Sequence, residues 1–241
     1  MVKPCKLKIY QQDNIFCQYN DSLIDEFSPK MFSPRWWQQQ NAIVGSAQGR
    51  GTTWFVEYNT QQWVLRHYYR GGFIGRLIKD SYIFQSIAKT RSAQELSLLV
   101  TMHQQGLPVP RPIGCKVVRS GLIYRADLLT QRIENAQDLV DILEKQVISA
   151  QLWQKIGKTI QQFHQQGIYH HDLNAHNILI DDHEKVWLID FDRGQQKQPA
   201  SSWQQANMAR LLRSFNKERS KLVIFNWQAE NWQSLLDGYQ S

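Results

Sequence analysis

Two stretches decide the fold of this chain: Ile168-Tyr-His-His-Asp-Leu-Asn-Ala-His-Asn-Ile-Leu-Ile180 and Val186-Trp-Leu-Ile-Asp-Phe-Asp-Arg-Gly194. Together they place Asp172, Asn177 and Asp190 in the order His-x-Asp-Leu-x-x-x-Asn and then Asp-Phe-x. The three polar residues alternate with apolar runs that are long enough to be buried. The pattern therefore predicts a polar site that forms where short buried elements end.

The apolar runs predict a β-hairpin. Residues 177–180 and 186–189 are separated by the polar residues 181–185, which suit an exposed turn. Asn177 comes just before the first predicted strand, and Asp190 comes just after the second. Because both ends of a hairpin lie at the same edge of a sheet, we expect Asn177 and Asp190 to lie close together.

These residue types match the requirements of phosphoryl transfer. A carboxylate such as Asp172 can receive the proton of an attacking hydroxyl, while the amide oxygen of Asn177 and the carboxylate of Asp190 can hold Mg²⁺ on the phosphates of ATP. The alternative is a hairpin whose polar ends merely face water. That alternative leaves the upstream Asp172 unexplained.

Length and composition favour a cytoplasmic protein. The 241 residues suffice for a buried core in one domain or in two lobes. No apolar run approaches the ~20 residues of a membrane-spanning helix, mean hydropathy is −0.51, and the N-terminal residues lack the apolar core of a secretory signal. The three cysteines, Cys5, Cys17 and Cys115, share no spacing typical of disulfides or of zinc.

The charge balance predicts an anionic partner. Lys and Arg number 28 against 21 Asp and Glu, a net charge of +7, which suits nucleic acid, a phosphorylated substrate or a membrane surface. Basic residues are concentrated in one segment where the only acid is Asp80: Arg66, Arg70, Arg76, Lys79, Lys89 and Arg91. Interleaved aromatic residues are typical of nucleic-acid and lipid-head-group surfaces. A solvated basic face is the remaining alternative.

A glycine-rich stretch precedes this segment. Gly45, Gly49 and Gly51 lie between an apolar entry and an alternating exit, which predicts strand, loop and strand. Glycines let backbone N–H groups approach phosphate oxygens closely. The spacing is neither the dinucleotide-binding fingerprint nor a Walker loop, so a hairpin with glycines for flexibility would look similar.

Arg66, on the next predicted strand, is the candidate cation for the nucleotide phosphates. Glu95, near the start of a predicted helix, is its candidate carboxylate partner. Ser92-Ala-Gln-Glu95 is also a capping-box pattern, in which Glu95 would satisfy a backbone N–H instead. We favour the ion pair because a capping box would not require an arginine.

Periodic patterns outline two lobes. They predict helices over residues 92–105, 149–167, 201–215 and 231–236 and strands over residues 113–118 and 122–129. Residues 130–135 form a predicted hinge. The N-terminal lobe then comprises residues 1–129, with the glycine loop, Arg66 and Glu95, and the C-terminal lobe comprises residues 130–241.

The histidines around Asp172 do not form a predicted zinc site. His170, His171 and His176 have neither helical spacing nor a fourth ligand. We interpret His170 as a buried hydrogen-bonding support of the Asp172 loop.

With these residues the chain resembles the protein-kinase-like superfamily and, within it, the kinases that act on 3-deoxy-D-manno-octulosonic acid (Kdo) in lipopolysaccharide core assembly. The matching motifs cover most of the chain. They are Gly49-Arg-Gly-Thr-Thr53, Leu65-Arg-His-Tyr-Tyr-Arg-Gly-Gly72, Thr90-Arg-Ser92, Pro108-Val-Pro110, Leu129-Thr-Gln-Arg-Ile-Glu-Asn-Ala-Gln-Asp-Leu139, Asp172-Leu-Asn-Ala-His-Asn-Ile-Leu179 and Val186-Trp-Leu-Ile-Asp-Phe-Asp192. The last two are shared across the superfamily, whereas the strings around Arg66 and Glu134 are narrower signals.

The resemblance implies an α+β, bilobal protein-kinase-like fold, with a small antiparallel β-sheet and one long helix in the N-terminal lobe and a mainly helical C-terminal lobe. It implies ATP-dependent phosphorylation of the 4-hydroxyl of Kdo on a Kdo-lipid A precursor. The protein would then be peripheral, on the cytoplasmic side of the inner membrane. Its partners would be the lipid-linked sugar and the anionic membrane surface, and no nucleic acid is expected.

The resemblance also implies roles for individual residues. Asp172 would be the catalytic base, and Asn177 and Asp190 would bind Mg²⁺. The ATP-binding residues would be Gly45, Gly49, Gly51, Arg66 and Glu95, and the candidate substrate contacts are His67, Arg70, Arg76 and Lys79.

The chain departs from the usual protein-kinase pattern. Arg66 stands where a lysine is usual, His171 replaces an arginine, and Asp192 follows Phe191 where glycine is usual, so Asp192 is either a further metal contact or, as we favour, a surface charge. Only 51 residues follow Asp190, too few for a long activation segment and a peptide-docking lobe. The alternatives are a heptose or aminoglycoside-type phosphotransferase and a non-catalytic kinase-like module that binds anionic lipid or nucleic acid.

Overall fold

The computed structural model describes residues 6–49, 51–70 and 80–241. It divides into two compact units, one formed by Met1–Gln105 and Pro110–Arg132 and the other by Gly106–Val109 and Ile133–Ser241. Two of the predicted substrate contacts, Arg76 and Lys79, lie outside the described residues.

The first unit contains an eight-stranded antiparallel sheet. Its strands are β1 (Leu7–Gln12), β2 (Ile15–Asn20), β3 (Ile43–Gln48), β4 (Thr52–Tyr58), β5 (Gln61–His67), β6 (Tyr82–Ile83), β7 (Pro112–Ser120) and β8 (Ile123–Gln131). Seven strands follow the order β1-β2-β7-β8-β5-β4-β3, and β6 pairs with β8. The predicted strands on either side of the glycine loop and the predicted hairpin before the hinge are all present.

Other segments of the first unit pack against part of each face of this sheet. Cys115 of β7 faces Ser92 of helix α2 (Arg91–Gln104). The next residue, Lys116, extends from the opposite face, and its Nζ lies 5.7 Å from the ring centroid of Phe32. Phe32 belongs to a short 3-10 turn that leads into α1 (Pro34–Gln39). The residues before β3 therefore complete the core on the face opposite α2.

Helix α2 starts at Arg91, with Thr90 as its N-cap residue. Ser92 lies inside the helix, so the alternative interpretation of Ser92 and Glu95 as a capping box is wrong. Ser92 is fully buried among core side chains. The local sequence pattern could not show that the start of this helix is buried.

The second unit is mainly helical. Its helices are α3 (Leu139–Lys145), α4 (Ala150–Gln165), α5 (Ser201–Lys221) and α6 (Ala229–Gln240), and its short strands are β9 (Gln137–Asp138), β10 (Ile168–Tyr169), β11 (Ile178–Ile180), β12 (Val186–Leu188) and β13 (Gln195–Gln196). The start of α4 follows the prediction, because Ser149 Oγ accepts a hydrogen bond from the N–H of Leu152. Together the two units confirm the predicted α+β class. Among the described residues, none of the helices combines the length and the apolar character needed to cross a membrane.

Helices α5 and α6 are longer than predicted. The last turns of α5 are polar and lack the apolar spacing on which the prediction relied, although Glu218 is buried there. Helix α6 packs closely against α4 at two glycines, one in each helix. A Cβ atom on Gly157 of α4 would lie 1.9 Å from the carbonyl oxygen of Leu235, and one on Gly238 would lie 2.0 Å from that of Gln154. The two helices pack backbone against backbone, which apolar periodicity does not reveal.

Candidate active site

The predicted hairpin is present in the second unit. Strands β11 and β12 are antiparallel with Ile178 opposite Leu188, and the N–H of Ile189 donates a hydrogen bond of 3.0 Å to the carbonyl of Asn177. Asp190 follows Ile189 directly and has a φ of 59°. This left-handed conformation costs a non-glycine residue roughly 1 kcal/mol, and such residues cluster at functional sites.

A buried histidine supports the loop that carries Asp172. Nε2 of His170 lies 2.9 Å from the carbonyl oxygen of Ile189, and the N–H of Asp172 donates a hydrogen bond of 3.2 Å to Nδ1. Burial lowers the pKa of His170, which favours the neutral ring. One neutral tautomer, protonated on Nε2, satisfies both contacts. The interpretation of His170 as a support of the loop is confirmed.

Two asparagines fix the other side of Asp172. The side-chain amide of Asn177 donates a hydrogen bond of 2.9 Å to the carbonyl oxygen of Asp172, and that of Asn174 donates one of 3.0 Å to the same oxygen. The backbone of Asp172 is thus bonded at both its N–H and its carbonyl group. Its side chain remains 48% exposed, so the carboxylate can receive a proton from a ligand.

Helix α5 holds the same loop through three polar side chains. Asn207 donates from Nδ2 to the carbonyl of His170 (3.0 Å) and accepts from the N–H of His170 (3.3 Å). Ser214 Oγ accepts from the N–H of Ala175 (3.0 Å). Nη1 of Arg210 lies 3.3 Å from Oδ1 of Asp172. We did not identify these three residues from the sequence.

The sequence nevertheless contains a pattern that could have identified these three residues. Asn207, Arg210 and Ser214 follow one another at spacings of three and four residues, so they lie on one face of a helix. That polar stripe runs beside the buried apolar residues Met208, Leu211 and Phe215 of the same helix. A polar stripe on a helix that follows the Asp-Phe-x motif predicts contact with a polar loop.

The donors around Asp190 fit a magnesium ion. Asn177 uses its amide N–H group inside the loop, which leaves the amide oxygen for a cation, and Asp190 adds a carboxylate. Oxygen ligands suit Mg²⁺, which usually takes one or two carboxylates together with nucleotide phosphates and water. The assignment of these two residues as metal ligands stays a prediction.

In the first unit, Arg66 and Glu95 form the predicted pair. Nη2 of Arg66 lies 2.5 Å from one carboxylate oxygen of Glu95 and 2.6 Å from the other. Tyr68, absent from our predictions, donates from its hydroxyl to Glu95 at 2.5 Å, and its ring centroid lies 5.0 Å from Cζ of Arg66. Glu95 is only 3% exposed, whereas the Arg66 side chain is 25% exposed. The buried partners fix the guanidinium while part of it faces solvent.

The three glycines have different surroundings. A Cβ atom on Gly51 would lie 2.0 Å from Cε2 of Tyr69, and one on Gly45 would lie 3.1 Å from Cδ2 of Phe55. The N–H of Gly49 donates to the carbonyl of Gly51. A side chain at position 51 would therefore displace the ring of Tyr69 independently of any ligand, and phosphate contact by the loop stays a prediction.

The described candidate substrate contacts are embedded in local networks. His67 lies 2.6 Å from Asp127 through Nδ1 and 3.3 Å from Asp80 through Nε2. Burial acts to lower its pKa, but the hydrogen bonds and charges of these two aspartates outweigh burial and raise it. Arg70 donates from Nε to the carbonyl of Ser81 and lies over the ring of Tyr82. Their contact with substrate stays a prediction.

A sheet with a partly buried arginine paired to a buried glutamate, and a helical unit that supports an aspartate loop, define a kinase-like phosphotransferase. Comparison with known proteins gives the family. The model of the Lipopolysaccharide kinase (Kdo/WaaP) family matches residues 34–239, and the chain belongs to this family.

Several relatives share the chain over nearly its full length, and each is named 3-deoxy-D-manno-octulosonic acid kinase. The protein of Vibrio parahaemolyticus is 47% identical over 95% of this chain and 95% of its own length. That of Vibrio vulnificus strain CMCP6 is 50% identical over 92% and 94%, and that of Mannheimia succiniciproducens is 47% identical over 96% and 98%. The predicted family and enzyme class, an ATP-using phosphotransferase, are confirmed.

Proposed function

We propose that this protein transfers the γ-phosphate of ATP to the 4-hydroxyl of Kdo on a Kdo-lipid A precursor in lipopolysaccharide core biosynthesis. The observation that carries the proposal is the near-full-length similarity to proteins named 3-deoxy-D-manno-octulosonic acid kinase. The supported loop around Asp172 supplies the chemistry that such a transfer needs.

Asp172 receives the proton of the sugar hydroxyl. As that oxygen forms its bond to the γ-phosphorus, the bond to the β,γ-bridging oxygen breaks, and ADP leaves. The loop bonds the backbone of Asp172, and within the described parts of the chain Arg210 contacts one carboxylate oxygen, so the second oxygen is available to the hydroxyl. Fixing the backbone orients this oxygen before substrate arrives, which is the basis of catalysis by positioning.

Asn177 and Asp190 would hold Mg²⁺, and Arg66 would contact the phosphates of ATP. When bound, the ion neutralises charge that develops on the phosphate oxygens. Arg66 keeps its positive charge at all relevant pH values and presents N–H groups in a fixed plane. Its partners Glu95 and Tyr68 hold it from the buried side.

The acceptor is attached to lipid, so we place the protein on the cytoplasmic side of the inner membrane as a peripheral protein. The net charge of +7 supports attraction to an anionic membrane surface. Arg70 and His67, together with Arg76 and Lys79, are the candidates for contact with the carboxylate and phosphates of the acceptor.

The proposal is tested with radiolabelled ATP, Mg²⁺ and a lipid A precursor that carries one Kdo residue. We expect label in the lipid with the wild-type protein and a rate about 10²–10⁴-fold lower with Asp172→Ala, because the general base is lost. Asp182→Ala is the matched control, since Asp182 is an exposed aspartate in the turn of the same unit.

An unlabelled lipid, with label instead in an aminoglycoside, a heptose acceptor or a protein, would overturn the substrate assignment. Equal rates for the Asp172→Ala and Asp182→Ala variants would overturn the role of Asp172.

A further inference from the structure

Three exposed aliphatic side chains lie together at one end of the sheet in the first unit. Ile83 of β6 lies directly opposite Ile123 of β8, and Leu122 precedes Ile123 in the turn after β7. The exposed fractions are 74% for Ile83, 80% for Leu122 and 42% for Ile123. We call these three residues the apolar tip.

The fold does not require apolar residues at these positions. Tyr82 and Tyr124, the neighbouring pair in the same two strands, are buried with ring centroids 5.5 Å apart, and the hydroxyl of Tyr124 accepts from the N–H of Arg91 in α2. Side chains alternate between the two faces of a strand. Ile83 and Ile123 therefore extend from the face opposite α2, where solvent surrounds them.

Arginines flank the apolar tip. Arg119 of β7 lies opposite Tyr124 and therefore on the α2 side of the sheet, where its Nε donates to the carbonyl of Gly121 in the turn and its Cζ lies 4.5 Å from the ring centroid of Phe84. Arg125, on the same face as Ile123, is 62% exposed and forms an ion pair with Asp80 at 3.0 Å. The adjacent turn between β1 and β2 contains Asp13 and Asn14. The side-chain amide of Asn14 donates a hydrogen bond of 2.9 Å to the carbonyl oxygen of Arg119. The apolar tip thus has a guanidinium group on each side of it, that of Arg125 on its own face and that of Arg119 at the turn on the other face.

This combination favours a bilayer over a protein partner. A stable protein–protein interface buries about 800 Å² on each partner, more than three side chains supply. Reversible binding to a bilayer needs less, because a few inserted aliphatic side chains and about 1 kcal/mol per basic residue near anionic lipid act together. The net charge of +7 has the sign that anionic lipid attracts.

We propose that the apolar tip inserts into the head-group region of an anionic bilayer, with Arg119 and Arg125 beside the lipid phosphates. The inference rests on the proposed function in one respect, namely that the acceptor is held in a membrane. It adds the surface by which the protein reaches that membrane.

The test is co-sedimentation of the whole chain with phosphatidylcholine vesicles that contain or lack phosphatidylglycerol, without any acceptor. We expect binding only to the anionic vesicles, weakened by salt. The double variant Ile83→Thr/Leu122→Thr should bind at least about tenfold more weakly, because two aliphatic side chains no longer insert. The matched control is Val223→Thr/Ile224→Thr, which changes two exposed aliphatic residues of the second unit and should bind like the wild type.

Equal loss in both double variants, or none in the first, would overturn the proposal. So would a change in the oligomeric state of the first variant without vesicles, since the tip would then be an interface between copies. Phosphorylation of a deacylated, soluble Kdo acceptor separates the two proposals: the first variant should retain it. Vesicle binding without phosphorylation of either acceptor would contradict the proposed function alone.

Discussion

The two units hold their candidate catalytic groups by different means. In the first unit, the guanidinium of Arg66 is fixed by the buried carboxylate of Glu95 and by the hydroxyl of Tyr68, which accepts from Nη2 at 3.5 Å and donates to Glu95. In the second unit, the loop of Asp172 is fixed mostly by neutral groups, and His170 and Asn207 bond its backbone. An ion pair positions the guanidinium of Arg66, and hydrogen bonds from neutral groups position Asp172.

The difference follows from what each side chain has to do. Arginine stays charged, so a partly buried arginine requires a counter-charge, and a carboxylate can hold it without changing its protonation. A general base has to remain able to accept a proton. Neutral donors and acceptors on its backbone orient Asp172 without competing for its carboxylate oxygens, which a strong ion pair would do.

The largest effect on stability should come from removing the negative charge of Glu95 in the first unit. We expect Glu95→Gln to lower the free energy of unfolding by about 3 kcal/mol, the low end for a broken buried ion pair, because Arg66 can reach water. Misplacement of Arg66 should lower kcat/KM for ATP by about 10–100-fold. Urea unfolding and steady-state kinetics measure the two effects, with the exposed Glu57→Gln of β4 as control.

Unchanged stability in Glu95→Gln would show that Arg66 is held without the negative charge of Glu95. The contrast between the units would then be wrong, since a neutral group would act in both.

A second prediction concerns pH and a histidine of the second unit. Burial lowers the pKa of His164, whose Nδ1 lies 2.7 Å from the hydroxyl of Tyr239, to about 4. The unfolded chain takes up this proton below pH ~6.5 and the folded chain does not. The stability that His164 contributes is therefore complete above pH ~6.5 and is lost as the pH falls towards 4, by as much as about 3 kcal/mol.

We expect urea unfolding of His164→Gln to show a weaker loss of stability over this pH range than the wild type. The exposed His183→Gln should follow the wild type. Parallel curves for wild type and His164→Gln would contradict a neutral, buried His164.

A third prediction tests the neutral hydrogen bonds of the loop directly. Asn207→Ala should destabilise the protein by about 2 kcal/mol, because it leaves the N–H and the carbonyl of buried His170 without the partners on α5. We also expect kcat to fall, since the Asp172 loop loses a support. Asn216→Ala, at an exposed position of the same helix, is the control. A stability loss with unchanged kcat would show that His170 and the two loop asparagines position Asp172 without help from α5.

The smallest effect should come from Arg210, whose guanidinium contacts the carboxylate of Asp172 in the second unit. Both partners of the Arg210–Asp172 pair are about half exposed, so the pair should add little to stability. We expect Arg210→Ala to lower kcat about tenfold with little change in the free energy of unfolding, and Arg210→Lys to restore part of the activity. Arg213→Ala is the control. A change in KM for the sugar acceptor alone would instead make Arg210 a substrate-binding residue.

Much of the candidate site could be predicted because its signals are local. The hairpin between Asn177 and Asp190 follows from two apolar runs and a polar turn, and helix α4 follows from its apolar period between Ser149 and Gly167. The ion pair of Arg66 with Glu95 could be predicted because a capping box at Glu95 would not require an arginine. Tyr68 was missed because its partner Glu95 lies 27 residues away and such a contact leaves no periodic signal. The polar stripe of α5 indicates a contact for Asn207, but it does not identify His170 as the partner.

By itself, the sequence determined the order of the elements, the α+β class and the residues around which phosphoryl transfer can be built, since these depend on local periodicity and on side-chain chemistry. Only the tertiary structure decided that Glu95 binds Arg66 instead of capping α2, that glycines join α4 to α6, and that one face of α5 supports the Asp172 loop. Each of these depends on a distance between elements far apart in the chain, and such distances are set by packing.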